Sequence, residues 1–331
     1  MLLITFGTRP EWIKIKPILD KIQGKIPYRL VCTGQHSNLL DKSINNYQVQ
    51  FLSIDTGKNR LDSIVISILE KCEDIFQDIK YTMVQGDTTS AFAVALASFH
   101  RKIPVIHLEA GLRSWDIDNP YPEEFNRLAI SSLTSIHLCP TEENKYNVRA
   151  NHGKKYVVGN TVLDSLVSKI PTLENFVLVT LHRRENIDNI FSWFNAIEQL
   201  AQENPHLEFV FPMHPNPEIQ KYKDIFNTVK VIEPLCHEEC VDYLARCSMV
   251  ITDSGGIQEE SSFLKKHCIV CRQTTERIEG EHIFSHLCYS PDHLKDVFDK
   301  TKIELVDCAC PYGDGTASDK ILTILEQLCY Q

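Results

Sequence analysis

Residues 84–127 read VQGDTTSAFAVALASFHRKIPVIHLEAGLRSWDIDNPYPEEFNR, and the reading of this stretch decides the fold. The run at 81–85 has strand character, Gly86 supplies the sharp turn that ends it, and Asp87 comes next. A second run, 104–108, closes on Glu109, and Ala110-Gly111 force another turn. In an open parallel α/β sheet, residues just past the strand C-termini line the ligand crevice. Asp87 and Glu109 are therefore expected side by side at one mouth. Glu123 follows Pro120 and Pro122 and marks a helix start, where the dipole tolerates a carboxylate. Any one of these acids is equally read as a cap or a surface charge. Three aimed at one crevice cost stability by repulsion unless they do chemistry.

Toward the N-terminus, 2–6 is an apolar run ended by Gly7-Thr8, and Pro10 sits where a helix starts without losing a hydrogen bond. Ile13, Pro17, Ile18 and Ile22 give that helix an apolar face. Arg9 and Lys14 fall at its beginning, where cations oppose the dipole and make sense if an anion binds between them; the alternative is solvated charge. A strand is expected at 29–32, followed by a turn at Thr33-Gly34-Gln35-His36, then a helix over 64–76. A short strand at 136–139 precedes a helix entry at Pro140-Thr141-Glu142-Glu143.

A border falls in 153–162, after which the alternation restarts. Strand 176–181 carries His182-Arg183-Arg184-Glu185 at its end. Asp188 is the expected N-cap of a helix with Phe191, Phe194, Ile197 and Leu200 on one face. Further strands are expected at 207–211, followed by His214, and at 229–232, 249–252 and 267–271. The run 249–252 ends in Asp253-Ser254-Gly255-Gly256, with a helix from near Ile257. Glycines at a strand-to-helix turn let backbone N–H groups approach a phosphate. Two βα-repeated halves predict an α/β fold of two doubly wound, Rossmann-like domains with the active site in the cleft between them. The first spans 1–160 and is joined by a returning helix at 316–331; the second spans 161–315. Ile321, Leu322, Leu325 and Leu328 form the expected buried face of that helix.

The chain has 331 residues, 43% apolar and 24% charged, ordinary for a globular protein with sizeable cores. A net charge of −10 argues against nucleic-acid or anionic-membrane binding. No apolar run reaches the roughly 18 residues of a membrane span, and the N-terminus reads as a first strand rather than a signal peptide. The expected compartment is the cytoplasm, with the 12 cysteines reduced. Cys268 and Cys271 lie three apart in a strand-like run and point to opposite faces, so they cannot chelate one ion; no metal site is expected. Asp116-Ile-Asp118 reads as a loop. An acidic chain that gathers Arg9, Lys14, Arg113, Arg127, Arg272 and Arg277, with His182, Arg183, Arg184 and His214, at expected cleft turns is suited to a compact dianion such as a pyrophosphate. The alternative is that several of them pair with the cleft acids.

GDTTS, HLEAGLRSWD and PYPEEFNR resemble, in order and spacing, the non-hydrolysing UDP-N-acetylglucosamine 2-epimerases. So do GTRPEWIKIKP at 7–17, GNTVLD at 159–164, LHRREN at 181–186, DSGGIQEE at 253–260, RQTTER at 272–277 and CPYGDG at 310–315. The resemblance implies the GT-B fold and C2 epimerisation of a UDP-2-acetamido sugar by elimination to a 2-acetamidoglucal and re-addition of UDP. It implies no redox cofactor, and the sequence has no GxGxxG fingerprint. Asp87, Glu109 and Glu123 match the family's acid/base carboxylates, and His182 its essential histidine. Arg9, Lys14, His214, Ser254, Gly255, Gly256, Glu260 and Arg277 match substrate-binding positions, with Glu260 as the ribose-hydroxyl acceptor. A UDP-sugar is the expected ligand and a homodimer the expected assembly.

Two departures stand out. The uracil-side segment, Pro234-Leu-Cys-His-Glu-Glu-Cys240, lacks the family's aromatic and amide residues around Leu235 and Cys240. Gln35-His36 match a regulatory pair, but Ser37-Asn38 and Lys58-Asn59 do not follow the pattern. The chain is also short between Val162 and Val177. The rival readings are a hydrolysing relative, a GT-B glycosyltransferase, a non-catalytic nucleotide-sugar sensor, and an epimerase for another sugar such as the 6-deoxy-L series.

Overall fold

The computed structural model describes residues 1–35, 42–54, 57, 59–150 and 152–329. His36, Ser37, Asn38 and Lys58 lie outside them. The chain divides into two units, Met1–Ser165 with Gly313–Gln331, and Leu166–Tyr312.

In the first unit the strands are β1 (Leu2–Phe6), β2 (Tyr28–Cys32), β3 (Val49–Phe51), β4 (Tyr81–Gln85), β5 (Val105–Leu108), β6 (Thr134–Cys139) and β7 (Lys154–Val157). All pair in parallel, in the order β3-β2-β1-β4-β5-β6-β7. The helices are α1 (Arg9–Ile22), α2 (Arg60–Lys71), α3 (Thr89–His100), α4 (Glu123–Leu133) and α5 (Glu142–Asn147). Successive side chains of a strand face opposite sides. Leu2, Ile4 and Phe6 accordingly join a core with Trp12, Ile15 and Leu19 of α1, while Leu3 joins one with Ile64, Ile68 and Ala93. Both faces covered is what an all-parallel sheet requires.

The second unit repeats the plan. Its strands are β8 (Phe176–Thr180), β9 (Glu208–Pro212), β10 (Lys230–Ile232), β11 (Met249–Thr252), β12 (Cys268–Val270) and β13 (Ser285–Leu287). They are parallel in the order β10-β9-β8-β11-β12-β13. Its helices are α6 (Ile190–Glu203), α7 (Pro217–Gln220), α8 (His237–Arg246), α9 (Gly255–Phe263) and α10 (Leu294–Lys300). The last helix, α11 (Ala317–Cys329), belongs to the first unit: Ile321, Leu322 and Leu325 share the core of α1. In both sheets the order reverses at the first strand, between β1 and β4 and between β8 and β11. Ligands bind outside the strand C-termini at such a switch point.

Several local expectations are corrected. The buried face of α1 is Trp12, Ile15, Ile18, Leu19 and Ile22; Ile13 and Pro17 lie to its side. Residues 64–76 are not one helix, because α2 ends at Lys71 and a 3-10 turn follows at Asp74–Phe76. Asp188 sits inside the 3-10 turn Arg184–Asn189 and caps nothing, and α6 begins after Asn189 without a side-chain cap. Phe191 is half exposed, its ring 5.6 Å from that of Tyr222 instead of in the core. Cys268 and Cys271 are free and fall in separate cores, as opposite strand faces dictate.

Candidate active site

At the C-terminal edge of the first sheet, Thr8 caps α1, its Oγ1 accepting from the Glu11 amide at 3.5 Å. Glu11 returns the contact by accepting from the Gly7 amide at 2.9 Å and from Thr8 Oγ1 at 2.8 Å. The pattern is Thr-x-x-Glu, with Glu11 reaching back past the cap to the Gly7 amide instead of the Thr8 amide of a full capping box. Thr88 Oγ1, the cap of α3, donates to the other oxygen of Glu11 at 2.8 Å, so one buried carboxylate ties two helix starts together. Burial pushes the Glu11 carboxyl up to about 7, against the pull of these donors. Arg9, half-buried, begins α1.

Gly86 has a left-handed backbone, φ 67°, and turns β4 into Asp87. His107 on neighbouring β5 donates from Nε2 to the Gly86 carbonyl at 2.8 Å, supporting that turn from within; burial lowers its pKa to about 4. The Asp87 carboxylate takes Arg127 Nε and Nη2, each at 2.8 Å. Arg127 Nη1 reaches Glu124 at 3.2 Å, and Glu124 accepts from the Ser114 and Trp115 amides. Glu123, half-buried, is the first residue of α4, one position before that buried partner.

Glu109 follows β5 with φ 65°, a left-handed backbone that costs a non-glycine residue about 1–2 kcal/mol. Its side chain is largely buried. It accepts from Lys14 Nζ, from Gln85 Nε2 and, at 3.3 Å, from Asn160 Nδ2. Strain of this kind persists where the surroundings over-determine it, typically at a functional position. Lys14 and Arg127 therefore neutralise this unit's own acids. Arg113 is not at the surface of a crevice: it is buried, donating to the Leu112 carbonyl and Ser131 Oγ at 2.7 Å each, and burial pushes its pKa down to about 10. Asp116 and Asp118 form a turn, the Asp118 amide donating to Asp116 at 3.1 Å. Among the described residues no group of three or more His, Cys, Asp or Glu is placed to hold a metal.

At the C-terminal edge of the second sheet, β8 ends into His182 and β11 into Asp253. Asp253 is fully buried and accepts from the His182 amide at 3.0 Å, the Arg183 amide at 2.8 Å and Asn186 Nδ2 at 3.0 Å. His182 Nδ1 stands 3.6 Å from the same carboxylate. The imidazole stacks on that of His214, with centroids 5.3 Å apart and planes 10° apart. Ser254 precedes α9 without capping it, so the first-turn N–H groups at Gly255 and Gly256 are not taken by its side chain. A Cβ on Gly256 would meet nothing within 4 Å; one on Gly255 would lie 2.8 Å from the Arg277 guanidinium. Arg277 is buried behind that turn, donating to Glu259 at 2.9 Å and to Glu276 at 3.4 Å. Arg272 is buried too, shared between Glu185 at 2.6 Å and Glu276 at 3.0 Å, and does not face a crevice. Glu260, one turn along α9, pairs with His237 Nε2 at 2.9 Å.

The expected residues thus assemble as two groups, one per unit. Asp87, Glu109, Glu123, Arg9 and Lys14 stand at the first edge; His182, His214, Ser254, Gly255, Gly256, Glu260 and Arg277 stand at the second. Sequence reasoning missed Glu11, His107, Asp253 and His237; Glu124 stands out in the sequence among the acids of 84–127, but not its pairing with Arg127. The pattern Thr8-x-x-Glu11 was a readable signal for the first; Asp253 lay in plain view beside the glycines. Nothing in the sequence marks His107, which is a core position of a strand.

Carboxylates at one switch point and a glycine-opened helix start at another, on two parallel sheets, belong to an α/β enzyme of the GT-B type. The chain belongs to the UDP-N-acetylglucosamine 2-epimerase family, whose model matches residues 20–326. It is 35% identical to the UDP-N-acetylglucosamine 2-epimerase of Campylobacter jejuni, covering 98% of this chain and 97% of that one. The solved structure of the Neisseria meningitidis enzyme bound to UDP-GlcNAc superposes with a TM-score of 0.87 at 32% identity, covering 98% of this chain and 99% of the other. That of the Methanocaldococcus jannaschii enzyme with UDP-GlcNAc and UDP gives 0.83 at 29%, with coverage of 98% and 99%.

Proposed function

We propose that this protein is a non-hydrolysing isomerase that converts UDP-N-acetylglucosamine to UDP-N-acetylmannosamine. The C2 proton of the substrate adjoins no carbonyl and is not acidic, so the route is elimination. A carboxylate of the first unit takes the C2 proton while the C1–O bond breaks and its electron pair leaves with UDP, giving a 2-acetamidoglucal. A carboxylate then delivers a proton to the opposite face of C2 and the UDP oxygen re-forms the bond to C1. Asp87, Glu109 and Glu123 are the acid/base candidates. The second unit holds UDP: Gly255 and Gly256 offer backbone N–H groups to the diphosphate at the start of α9, Glu260 accepts from the ribose, His182 and His214 stand beside the diphosphate as hydrogen-bonding groups, and Arg277 supports the glycine turn from behind. Arg9 and Lys14 stand on the first unit, with Lys14 paired to Glu109.

The observation that carries this reading is Glu109, a buried carboxylate in a strained backbone, fastened to Lys14 beside Asp87. A glycosyltransferase needs no such set of acids. The reaction run in deuterium oxide and followed by NMR tests it: deuterium is expected at C2 of the epimerised product. Product carrying only protium at C2 would overturn the elimination route, and release of free N-acetylmannosamine would move the chain to the hydrolysing branch. The working assembly is a homodimer in the cytoplasm, supported by exposed Phe125, Leu128 and Tyr121 around the start of α4. Among the described residues, no helix is long and apolar enough to cross a membrane.

A further inference from the structure

We propose that His237 is a specificity-determining positioning residue of the nucleotide site: it holds one oxygen of Glu260 and thereby aims the other at the ribose hydroxyls of a uridine nucleotide. The proposal rests on the reading of Glu260 as the ribose acceptor.

The geometry begins with the helix that carries His237. Cys236 caps α8 in a reciprocal box: its amide donates to Glu239 Oε2 at 2.8 Å, and its Sγ accepts from the Glu239 amide at 3.5 Å. His237 is the first residue inside that locked turn, so its backbone has little freedom. Its Nε2 lies 2.9 Å from Glu260 Oε1, and both side chains are shielded, 16% and 6% exposed. Glu260 is four residues beyond Gly256 on α9, hence on the same helix face and about 6 Å further along the axis. That is the reach from the diphosphate of a nucleotide to its ribose hydroxyls. A carboxylate at this spot serves as an acceptor only if its orientation is fixed, since a wrongly turned, largely buried carboxylate leaves a hydroxyl unpaired. The Nε2–H donated to Oε1 fixes it and leaves Oε2 for the sugar.

A site built to hydrogen-bond a hydroxyl rejects the analogue lacking it, because the buried acceptor is then left unpaired. The probes are UDP, 2′-deoxy-UDP and 3′-deoxy-UDP, titrated calorimetrically into the intact protein and its H237A, H237Q and E260Q variants. Wild type is expected to prefer UDP over at least one deoxy analogue by about tenfold or more. H237A is expected to lose most of that preference, with KM for the UDP-sugar raised and kcat changed little. H237Q is expected to regain it, since its amide nitrogen stands near the position of Nε2. E260Q should lose it as H237A does. Undiminished preference in H237A, or failure of H237Q to restore it, overturns the role given to His237. Absence of preference in wild type, or full preference in E260Q, overturns the ribose reading of Glu260 and the proposal with it.

Discussion

A side chain that moves a proton on and off carbon must be held in place yet remain chargeable. Glu109 meets the first condition through three donors and the second through the cation of Lys14. Asp87 meets both through the fork of Arg127. Replacing either acid by its amide is expected to lower kcat by at least about a hundredfold, the scale of a lost acid–base group. Wild-type turnover in E109Q or D87N, with an unchanged circular dichroism spectrum, would remove that residue from the reaction. Glu11 makes a prediction of another kind. Its folded carboxyl titrates near 7, above the ordinary 4.5. Between those values the folded chain keeps a proton that the unfolded chain has lost. Stability is therefore highest below the unfolded pKa and falls as pH rises toward the folded one, by roughly 3 kcal/mol in total at about 1.36 kcal/mol per unit. Denaturant midpoints of E11Q should show a flatter pH slope over that window; the wild-type slope in E11Q would refute the assignment.

Elements show what the sequence could and could not disclose. The central strands were legible because burial on both faces makes them unbroken apolar runs, as in β4, β8 and β11. The edge strands β3 and β7, and β13 at the far edge of the second sheet, escaped: β3 and β7 are polar or half exposed, and β13 reads Ser-His-Leu. The positions of site residues after strand ends were readable, since parallel topology fixes where those ends point. Their partners were not, because ion pairs between distant segments leave no local pattern. Arg277 is the clearest case. It reads as a free phosphate clamp, but it is buried between Glu259 and Glu276 and packed under Gly255. R277A would remove a cation shared by two buried carboxylates, of which Glu276 keeps Arg272, and a loss of about 3 kcal/mol is expected in denaturant unfolding without ligand. A loss below about 1 kcal/mol, the scale of an exposed pair, would show that the network is not structural. Asp253 acts similarly on the loop after β8. D253N should lower turnover by loosening the His182 and Arg183 amides it holds, with kcat falling while the melting temperature changes little; a large fall in melting temperature with kcat intact would show a purely structural role.

At the scale of the whole molecule, chemistry and binding are assigned to different units, and that division is itself testable. The acids sit on the edge of β4 and β5 and at the start of α4; the glycine-opened start of α9, the proposed diphosphate site, follows β11. If UDP is held by the second unit, it stabilises the chain by an amount set by its concentration over Kd. D87N and E109Q should then bind UDP within about threefold of wild type, less than 1 kcal/mol, while turning over poorly. G256V should do the reverse of a silent change: its side chain enters open space in the apo chain, yet it occupies the approach to the first turn of α9. UDP affinity is expected to fall by about tenfold or more, with the unliganded melting temperature changed little. Calorimetric titration with UDP separates the cases. Wild-type UDP affinity in G256V, or a tenfold loss in both D87N and E109Q, would place the diphosphate elsewhere and break the division of labour between the two units.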